Sequence, residues 1–542
     1  MFISSFTLDF SGGKIQIDKI FNTTNEQKEG YQMKESLTKE TLEAFQNDFR
    51  ANTLHTVAKN AVTVNGLLKS SRNSEAARST RHEFSISLEQ GEITNQMQSG
   101  RCWMFAALNT FRFEVMKKLN LETFELSQNY TLFYDKLEKA NYFLESILDT
   151  LKEPVNGRLI SHLLTDPLGD GGQWDMLCSI IRKYGLVPKD AMPETACSSA
   201  TREMAGYMTK KLREFACTLR KANESGASID ELRMQKESMM NEIYRILCIC
   251  LGEPPKTFDF EVRDKDKNFH RDTQITPQQF YEKYIGLNLD DYISLINAPT
   301  SDKPYHRSYS VKYLGNVKEG RPVRYLNLEI EELKKAAIAQ MQDGSPVWFG
   351  CDVGKYSCGE NGVMDLDLYQ TEELLGTTYH MTKAERLDYH ESLMTHAMTF
   401  MGVNLDENGN PDRWRVENSW GEKSGKKGYY VMNDAWFDEY MYQVVVNKKY
   451  LPEQFVKEYE SEPILLEPWD PMGSLALYFL KNRRQHDDNP EYRIKHVKNT
   501  IAEAHLFFCF LFHKSPSYST EFSSAFFLAF SSLSSRKKDF IN

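Results

Sequence analysis

The sequence predicts an α+β fold in which a helical lobe and a β lobe border a cleft. Apolar residues recur at helical spacing in residues 103–115 and 129–151, whereas short strand-like apolar runs dominate the last third, as at 347–353 and 396–403. Residue types able to do acyl-transfer chemistry occur in both parts. Helices followed by strands that serve one site are typical of an α+β enzyme.

Length and composition favour an ordinary globular protein of two to four subdomains. The chain has 542 residues, 41% hydrophobic and 26% charged, and that length exceeds what one core usually supports. Its nine cysteines are scattered singly, which is unlike a disulfide framework and favours a reducing, cytoplasmic location. No apolar run approaches the roughly 20 residues of a membrane span, so no membrane association is expected.

The charge distribution argues against nucleic acid as a partner. The whole chain carries −10; residues 477–542 contribute +4 and residues 1–32 contribute −1, so the middle of the chain carries −13. Phosphate binding requires clustered lysine and arginine. Residues 1–32 also lack a basic segment and a cleavage-like site, so no signal peptide is expected. A more protein-like pattern opens at Met33, which we expect to be the natural start.

The elements follow in order along the chain. We predict a helix over Glu40 to Phe49, a strand over residues 84–94, a helix starting at Cys102, and further helices at 129–151, 173–184 and within 196–251. A hairpin follows near 258–267, and Thr276-Pro277 caps a helix that runs through Tyr284. Strands are predicted at 347–353, 396–403, 413–418 and 428–432.

Cys102 stands where a polar turn gives way to the apolar run from Trp103 to Val115. A cysteine at a helix N-terminus meets unpaired N–H groups and the positive end of the helix dipole, which favour the thiolate. Cys102 is therefore a candidate nucleophile. Trp103, directly after it, is expected to pack beside the site.

A thiol nucleophile needs a base and a group that orients the base. Of the twelve histidines, His396 begins a buried-looking strand that is followed by Asn418-Ser419-Trp420-Gly421. We expect Asn418 to bind one imidazole nitrogen while the other faces Cys102, and Trp420 to shield that bond from water. The side-chain amide of Gln96 and the N–H of Cys102 would form an oxyanion hole.

These motifs resemble the papain-like cysteine peptidases, in particular the bleomycin hydrolase and bacterial aminopeptidase C branch. The resemblance runs from about residue 36 to Ala476. His396 lies 294 residues after Cys102, against roughly 130–150 in simple papain-like enzymes. The motifs that carry it are Thr94-Asn95-Gln96, Ser99 to Trp103, Gly171 to Met176, Arg263 to Lys267, Thr276-Pro277, Phe280-Tyr281, Asn418 to Gly421 and Trp469 to Gly473.

The resemblance implies a papain-like two-lobed fold, a thiol aminopeptidase acting on peptides, a homohexamer built with a large insertion, and substrate contacts at Gly171 and Gly172. It implies no metal and no organic cofactor. The expected regions are 1–32, a non-native or disordered leader; 33–195, the helical lobe; 196–340, the inserted helical and hook region; 341–455, the β lobe; 456–476, an arm toward the cleft; and 477–542, an atypical extension or a gene-model artefact.

The carboxyl end departs from the family pattern. In the family a C-terminal arm lies in the cleft, and its carboxylate can pair with the α-ammonium group of a substrate. Here 66 residues follow Ala476. An endopeptidase or a self-blocked enzyme therefore remains an alternative, and so does a nucleic-acid-binding hexameric scaffold, which the −13 charge of the middle region disfavours.

Other patterns are weaker. Cys248 with Cys250, and Cys351 with Cys358, lack further ligands at zinc spacing. His270-Arg271-Asp272 matches a kinase catalytic loop, but no glycine-rich loop or Asp-Phe-Gly accompanies it. Neither pattern predicts a site.

Overall fold

The structure is a computed structural model, and it describes residues 36–89 and 91–474. The regions expected at 1–32 and 477–542 lie outside these residues, as do Met33 and Ala476. The described residues divide into two compact units: residues 36–71 with Thr371–Thr378, and the remainder. The region boundaries proposed from the sequence stay predictions.

The smaller unit consists of helices. The predicted helix at residues 40–49 is confirmed as Lys39–Ala51, and its first turn is capped by Thr38, whose hydroxyl accepts from the Thr41 N–H. Asn52 ends this helix and caps the next, because its side-chain oxygen accepts from the Leu54 N–H at 3.0 Å. The other helices of the unit are Thr53–Asn65, Leu67–Ser70 and Thr371–Leu375.

The larger unit holds the remaining helices, and the predicted helical segments are confirmed within a few residues. Ser228 and Thr276 begin two of them with capping boxes. The α-helices are Ser74–Ser79, Cys102–Leu119, Gln128–Asp149, Arg158–Thr165, Trp174–Tyr184, Ala196–Ser199, Arg202–Glu224, Ile229–Leu251, Pro277–Phe280, Ile330–Gln342, Lys383–Asp388, Asp434–Tyr440 and Glu453–Glu460. Single turns of tighter or wider helix occur at Lys189–Ala191, Tyr281–Ile285, Leu289–Asp291, Leu366–Leu368, Lys448–Tyr450 and Pro471–Gly473.

A mixed sheet crosses the larger unit. Its strands are, in spatial order, Ile464–Leu466, Arg307–Val311, Tyr325–Asn327, Tyr292–Ile296, Met441–Asn447, Val347–Cys351, His396–Leu405, Pro411–Glu417, Tyr429–Asn433, Val363–Met364 and Ser357–Cys358. Ile86–Ser87 also pairs with His396–Leu405. A separate antiparallel hairpin joins Phe258–Arg263 to Phe269–Ile275, as predicted.

One predicted strand is shorter in the structure, and several strands were not predicted. The strand expected over residues 84–94 is only Ile86–Ser87, because the chain leaves the sheet after the Leu88 N–H donates to the Met401 carbonyl at 2.8 Å. The strands Tyr292–Ile296, Arg307–Val311, Tyr325–Asn327 and Met441–Asn447 were not predicted. Most of their residues are buried on both faces, so burial does not alternate along them as it does in a strand with one exposed face.

Two hydrophobic cores lie in the larger unit. One is mainly helical and includes Trp103, and the other lies against the sheet and includes Trp414. The Cys102–Leu119 helix crosses the His396–Leu405 strand, where the Thr399 hydroxyl donates to the Ala106 carbonyl at 3.0 Å. This contact places the start of the helix opposite the start of the strand. The predicted α+β class is confirmed.

Candidate active site

Cys102 begins its helix and is almost fully buried, with 1% of its surface exposed. The backbone N–H of Ala397, the residue after His396, is hydrogen-bonded to the thiol. The preceding residue, Arg101, is held by Glu194 through two hydrogen bonds of 2.9 and 2.8 Å. The nucleophile candidate therefore contacts the residue that directly follows the predicted base.

His396 and Asn418 form the predicted pair. His396 Nε2 lies 3.0 Å from Asn418 Oδ1, and both side chains are buried. The Ser419 N–H also donates to that oxygen at 2.8 Å, which identifies it as the carbonyl of the amide. Because a carbonyl oxygen only accepts, Nε2 carries the proton of the neutral ring, and Nδ1 is the nitrogen able to take a proton.

Burial controls the charges of both groups. Desolvation raises the pKa of Cys102 to about 12, against the opposing effect of backbone N–H groups from Ala397, Trp103 and Cys102 itself. The N–H groups at the helix start lower this pKa, as expected, but burial is the larger effect. Desolvation likewise lowers the pKa of His396 to about 4, although its hydrogen bond with Asn418 favours the charged ring.

These two shifts favour a neutral thiol and a neutral imidazole in the enclosed site. Proton transfer from sulfur to Nδ1 would create two opposite charges at once. Their mutual attraction opposes the desolvation of each charge. A proton transfer coupled to attack on a carbonyl carbon would form these charges only as the reaction proceeds.

Gln96 is hydrogen-bonded to Ser419, the residue that follows Asn418. Its backbone N–H donates to the Ser419 carbonyl at 2.8 Å, and its side-chain Nε2 donates to the Ser99 carbonyl at 2.7 Å. An amide nitrogen has two hydrogens, so one can orient the side chain while the other serves an oxyanion. The structure thus brings Gln96, Cys102, His396 and Asn418 together.

Two tryptophans border this group. The Trp420 ring lies 4.9 Å from the His396 ring, centroid to centroid. Trp103 is fully buried, and its carbonyl accepts from Trp348 Nε1 at 3.0 Å. Both tryptophans lie beside the candidate catalytic residues, as expected from the sequence. The shielding of the His396–Asn418 bond by Trp420 stays a prediction.

The Gly171–Gly172 pair, here called the glycine edge, lies beside Trp103. The Gly171 carbonyl accepts from Lys139 Nζ at 2.7 Å. A Cβ atom on Gly172 would lie 2.5 Å from ring carbons of Trp103, so only glycine fits against that indole. The pair is thus backbone packed directly on the residue that follows Cys102, and substrate contact there stays a prediction.

The sequence reasoning missed a buried ion pair behind the site. Arg112 donates to Glu417 Oε1 at 2.8 Å, and so does the Asn109 side-chain amide at the same distance. The pair joins the Cys102 helix to the residue before Asn418. An arginine inside the apolar run 103–115 was the available signal, since such a residue is buried only when it is paired.

The described residues contain neither a metal-ligand cluster nor a membrane-spanning helix. Among residues 36–89 and 91–474, no three histidine, cysteine, aspartate or glutamate side chains are grouped so that they could hold a metal ion. Within the same ranges, every helix is too short or too polar to cross a bilayer.

Comparison with known proteins agrees with this geometry. The sequence model of the Peptidase C1-like family matches residues 36–473. Aminopeptidase C of Listeria monocytogenes is 52% identical over 445 residues, which cover 82% of this chain and all of the relative. Bleomycin hydrolase of Mus musculus is 45% identical over 449 residues, which cover 81% and 99% of the two chains.

A solved structure agrees as well. The crystal structure of pepw from Lactobacillus rhamnosis superposes with a TM-score of 0.80 at 50% identity, covering 82% of this chain and all of that one. The predicted papain-like fold and the predicted kinship are confirmed. By sequence and by fold, the chain belongs to the Peptidase C1-like family.

Proposed function

We propose that this protein is a cytosolic thiol aminopeptidase that releases N-terminal residues from peptides through an acyl-enzyme. The arrangement of Cys102 beside a His396–Asn418 pair carries the proposal, since nucleophile, base and orienting amide are the three groups that acyl transfer requires. The aminopeptidase C and bleomycin hydrolase relatives support the choice of substrate.

The reaction follows from the atoms in place. His396 Nδ1 takes the proton from Cys102 Sγ while sulfur bonds to the peptide carbonyl carbon, and the oxyanion accepts from Gln96 Nε2 and the Cys102 N–H. The C–N bond then breaks, and the imidazolium gives its proton to the leaving amine. Water, deprotonated by the same imidazole, hydrolyses the thioester and restores the thiol.

The arm at residues 469–474 supports the aminopeptidase assignment. The Ser474 carbonyl accepts from Gln173 Nε2 at 3.1 Å, and the Ser474 hydroxyl donates to the Met394 carbonyl at 2.9 Å. Gln173 follows Gly172, and Met394 lies two residues before His396. The arm thus enters between the glycine edge and the strand of the base, where it would limit how far a substrate extends on its amino side.

Substrates with a free or an acetylated amino terminus test this limit. We expect cleavage of the free peptide and no cleavage of its acetylated form, because acetylation adds atoms where the arm lies. Equal cleavage of both would support the endopeptidase alternative. Comparison of the full chain with a chain truncated after Ala476 would show whether residues 477–542 alter that ratio.

The nucleophile is tested by Cys102→Ala, with Cys178→Ala as the matched control, since Cys178 is also a buried free cysteine but lies in the Trp174–Tyr184 helix. We expect the first variant to lose peptide hydrolysis and the second to keep it. Retained hydrolysis in Cys102→Ala would refute the mechanism.

We further propose a homohexamer, as the family resemblance implies. Light scattering on the eluting peak of a sizing column should give six times the 62.9 kDa chain mass. A monomer at micromolar concentration would contradict this proposal and leave the catalytic one intact.

A further inference from the structure

Asp170, the residue before the glycine pair, has a partly buried carboxylate with three partners. Its Oδ2 accepts from the Gly100 N–H at 2.8 Å and from the Thr201 hydroxyl, and its Oδ1 lies 2.6 Å from Lys136 Nζ. Gly100 is two residues before Cys102. One carboxylate therefore connects the turn that precedes the nucleophile to the Gln128–Asp149 helix.

The backbone of Asp170 contacts the other side of the nucleophile. Its carbonyl accepts from Trp103 Nε1 at 2.7 Å. The same residue thus binds Gly100 and Trp103, which flank Arg101 and Cys102. A Cβ atom on Gly100 would lie 2.8 Å from Asp170 Cβ, so the Gly100 backbone packs against the Asp170 side chain at a distance that favours glycine.

Two buried lysines of one helix hold the rest of this loop. Lys136 Nζ donates to the Leu168 carbonyl at 2.7 Å, and Lys139 Nζ donates to the Gly169 and Gly171 carbonyls at 2.8 and 2.7 Å. Lys139 also pairs with Asp135 at 2.8 Å. The cluster contains two lysines and two aspartates, so its charges balance within the protein.

We propose that Asp170 is a positioning residue of the peptidase site, which sets the Gly100 turn and the Gly171–Gly172 edge on either side of Cys102, with Lys136 as its counter-ion. The proposal rests on the proposed function. Misplacement of either edge by a fraction of an ångström would affect the oxyanion site through Gly100 and the substrate backbone through Gly171.

The carboxylate also has an electrostatic effect. Burial favours its neutral form, but the Lys136 ammonium and the hydrogen bonds from Thr201 and Gly100 hold the pKa of Asp170 well below its usual value, so the group is ionised. Its negative charge adds to the desolvation that raises the pKa of Cys102. Removal of this charge should therefore lower the pKa of the Cys102 thiol, and the same change should misplace the Gly100 turn and the Gly171–Gly172 edge.

The test uses Asp170→Asn and a matched control, Asp434→Asn. Asp434 also accepts from a buried lysine, Lys334, at 2.7 Å and from a tryptophan, Trp414, at 3.0 Å, but it lies on the sheet core. For each variant, kcat and KM are measured on one peptide, and the pH dependence of Cys102 alkylation by iodoacetamide is measured on the full chain.

We expect kcat/KM of Asp170→Asn to fall about a hundredfold while the apparent pKa of alkylation shifts downward; Asp434→Asn should change neither. A structural defect alone would slow both reactions without that shift. Wild-type kinetics in Asp170→Asn, or a thiol pKa that stays or rises, would overturn the proposal.

A second variant covers the case in which Asp170→Asn does not fold. Thr201→Val removes one hydrogen bond to the carboxylate and keeps the side-chain shape. It should lower kcat/KM by about tenfold, since a hydrogen bond to a charged group is lost; unchanged kinetics would also overturn the proposal. Activity that survives Cys102→Ala would instead refute the proposed function itself, so the two failures are distinguishable.

Discussion

Replacement of His396 by glutamine should make the folded protein less sensitive to acid. The imidazole has a pKa of about 4 in the folded protein, lowered by burial from an ordinary 6.5. Below pH 6.5 the unfolded chain binds a proton that the folded chain does not bind until about pH 4. The stability present above pH 6.5 is therefore lost progressively as the pH falls through this window.

The magnitude follows from the difference between the two pKa values. At 1.36 kcal/mol per pKa unit, the folded wild type loses about 3 kcal/mol relative to a non-titrating side chain between pH 7 and pH 4. Other titrating groups contribute equally to wild type and variant. The difference in free energy of unfolding between them isolates His396.

The assay is urea unfolding of wild type and His396→Gln at pH 7, 6, 5 and 4, followed by tryptophan fluorescence. His380→Gln, a change at an exposed histidine, is the control, and its difference from wild type should not vary with pH in this way. NMR of ring-labelled histidine gives the pKa of the folded state directly. A His396 pKa near 6.5, or a pH-independent difference, would refute the burial argument.

Three further results are expected. Gly172→Ala should destabilise the protein by about 1–3 kcal/mol and reduce activity, because the added Cβ would overlap the Trp103 ring. Gly206→Ala, in the open interior of a helix, should stabilise the protein by about 1 kcal/mol. Thermal melts measure both changes, and equal melting points for the two variants would contradict the packing account. Arg112→Met should cost about 3–5 kcal/mol because it removes the positive charge that balances the buried Glu417 carboxylate; chemical denaturation measures this loss, which Glu417→Gln should partly restore in the double variant. EDTA should leave peptide hydrolysis unchanged; inhibition reversed by added zinc would contradict a purely thiol mechanism.

Most of the local elements were predictable because they depend on neighbours in the sequence. The Cys102–Leu119 helix follows from apolar spacing, and the helix starts at Ser228 and Thr276 follow from capping chemistry. The strand Tyr292–Ile296 was missed for the opposite reason. Its residues are nearly all buried, and a short, mostly apolar run carries no period that separates strand from helix.

The residues of the candidate site also fall into those that the sequence predicts and those that only the folded chain brings together. Cys102, His396, Asn418 and Gln96 could be selected from residue type and motif, since the chemistry demands those groups. The Arg112–Glu417 pair spans 305 positions, and nothing local to either residue shows that they meet. Asp170 likewise contacts Gly100 across 70 positions, and nothing local to either residue shows that they meet.

The sequence by itself determined the reaction class, because side-chain chemistry is a property of residue types and of their order in motifs. The tertiary structure decided the conditions under which that chemistry runs: which imidazole nitrogen is protonated, how far burial shifts the pKa of the thiol and of its base, and which buried charges hold the loops around Cys102. These depend on solvent exclusion and on contacts between distant segments, which exist only once the chain has folded.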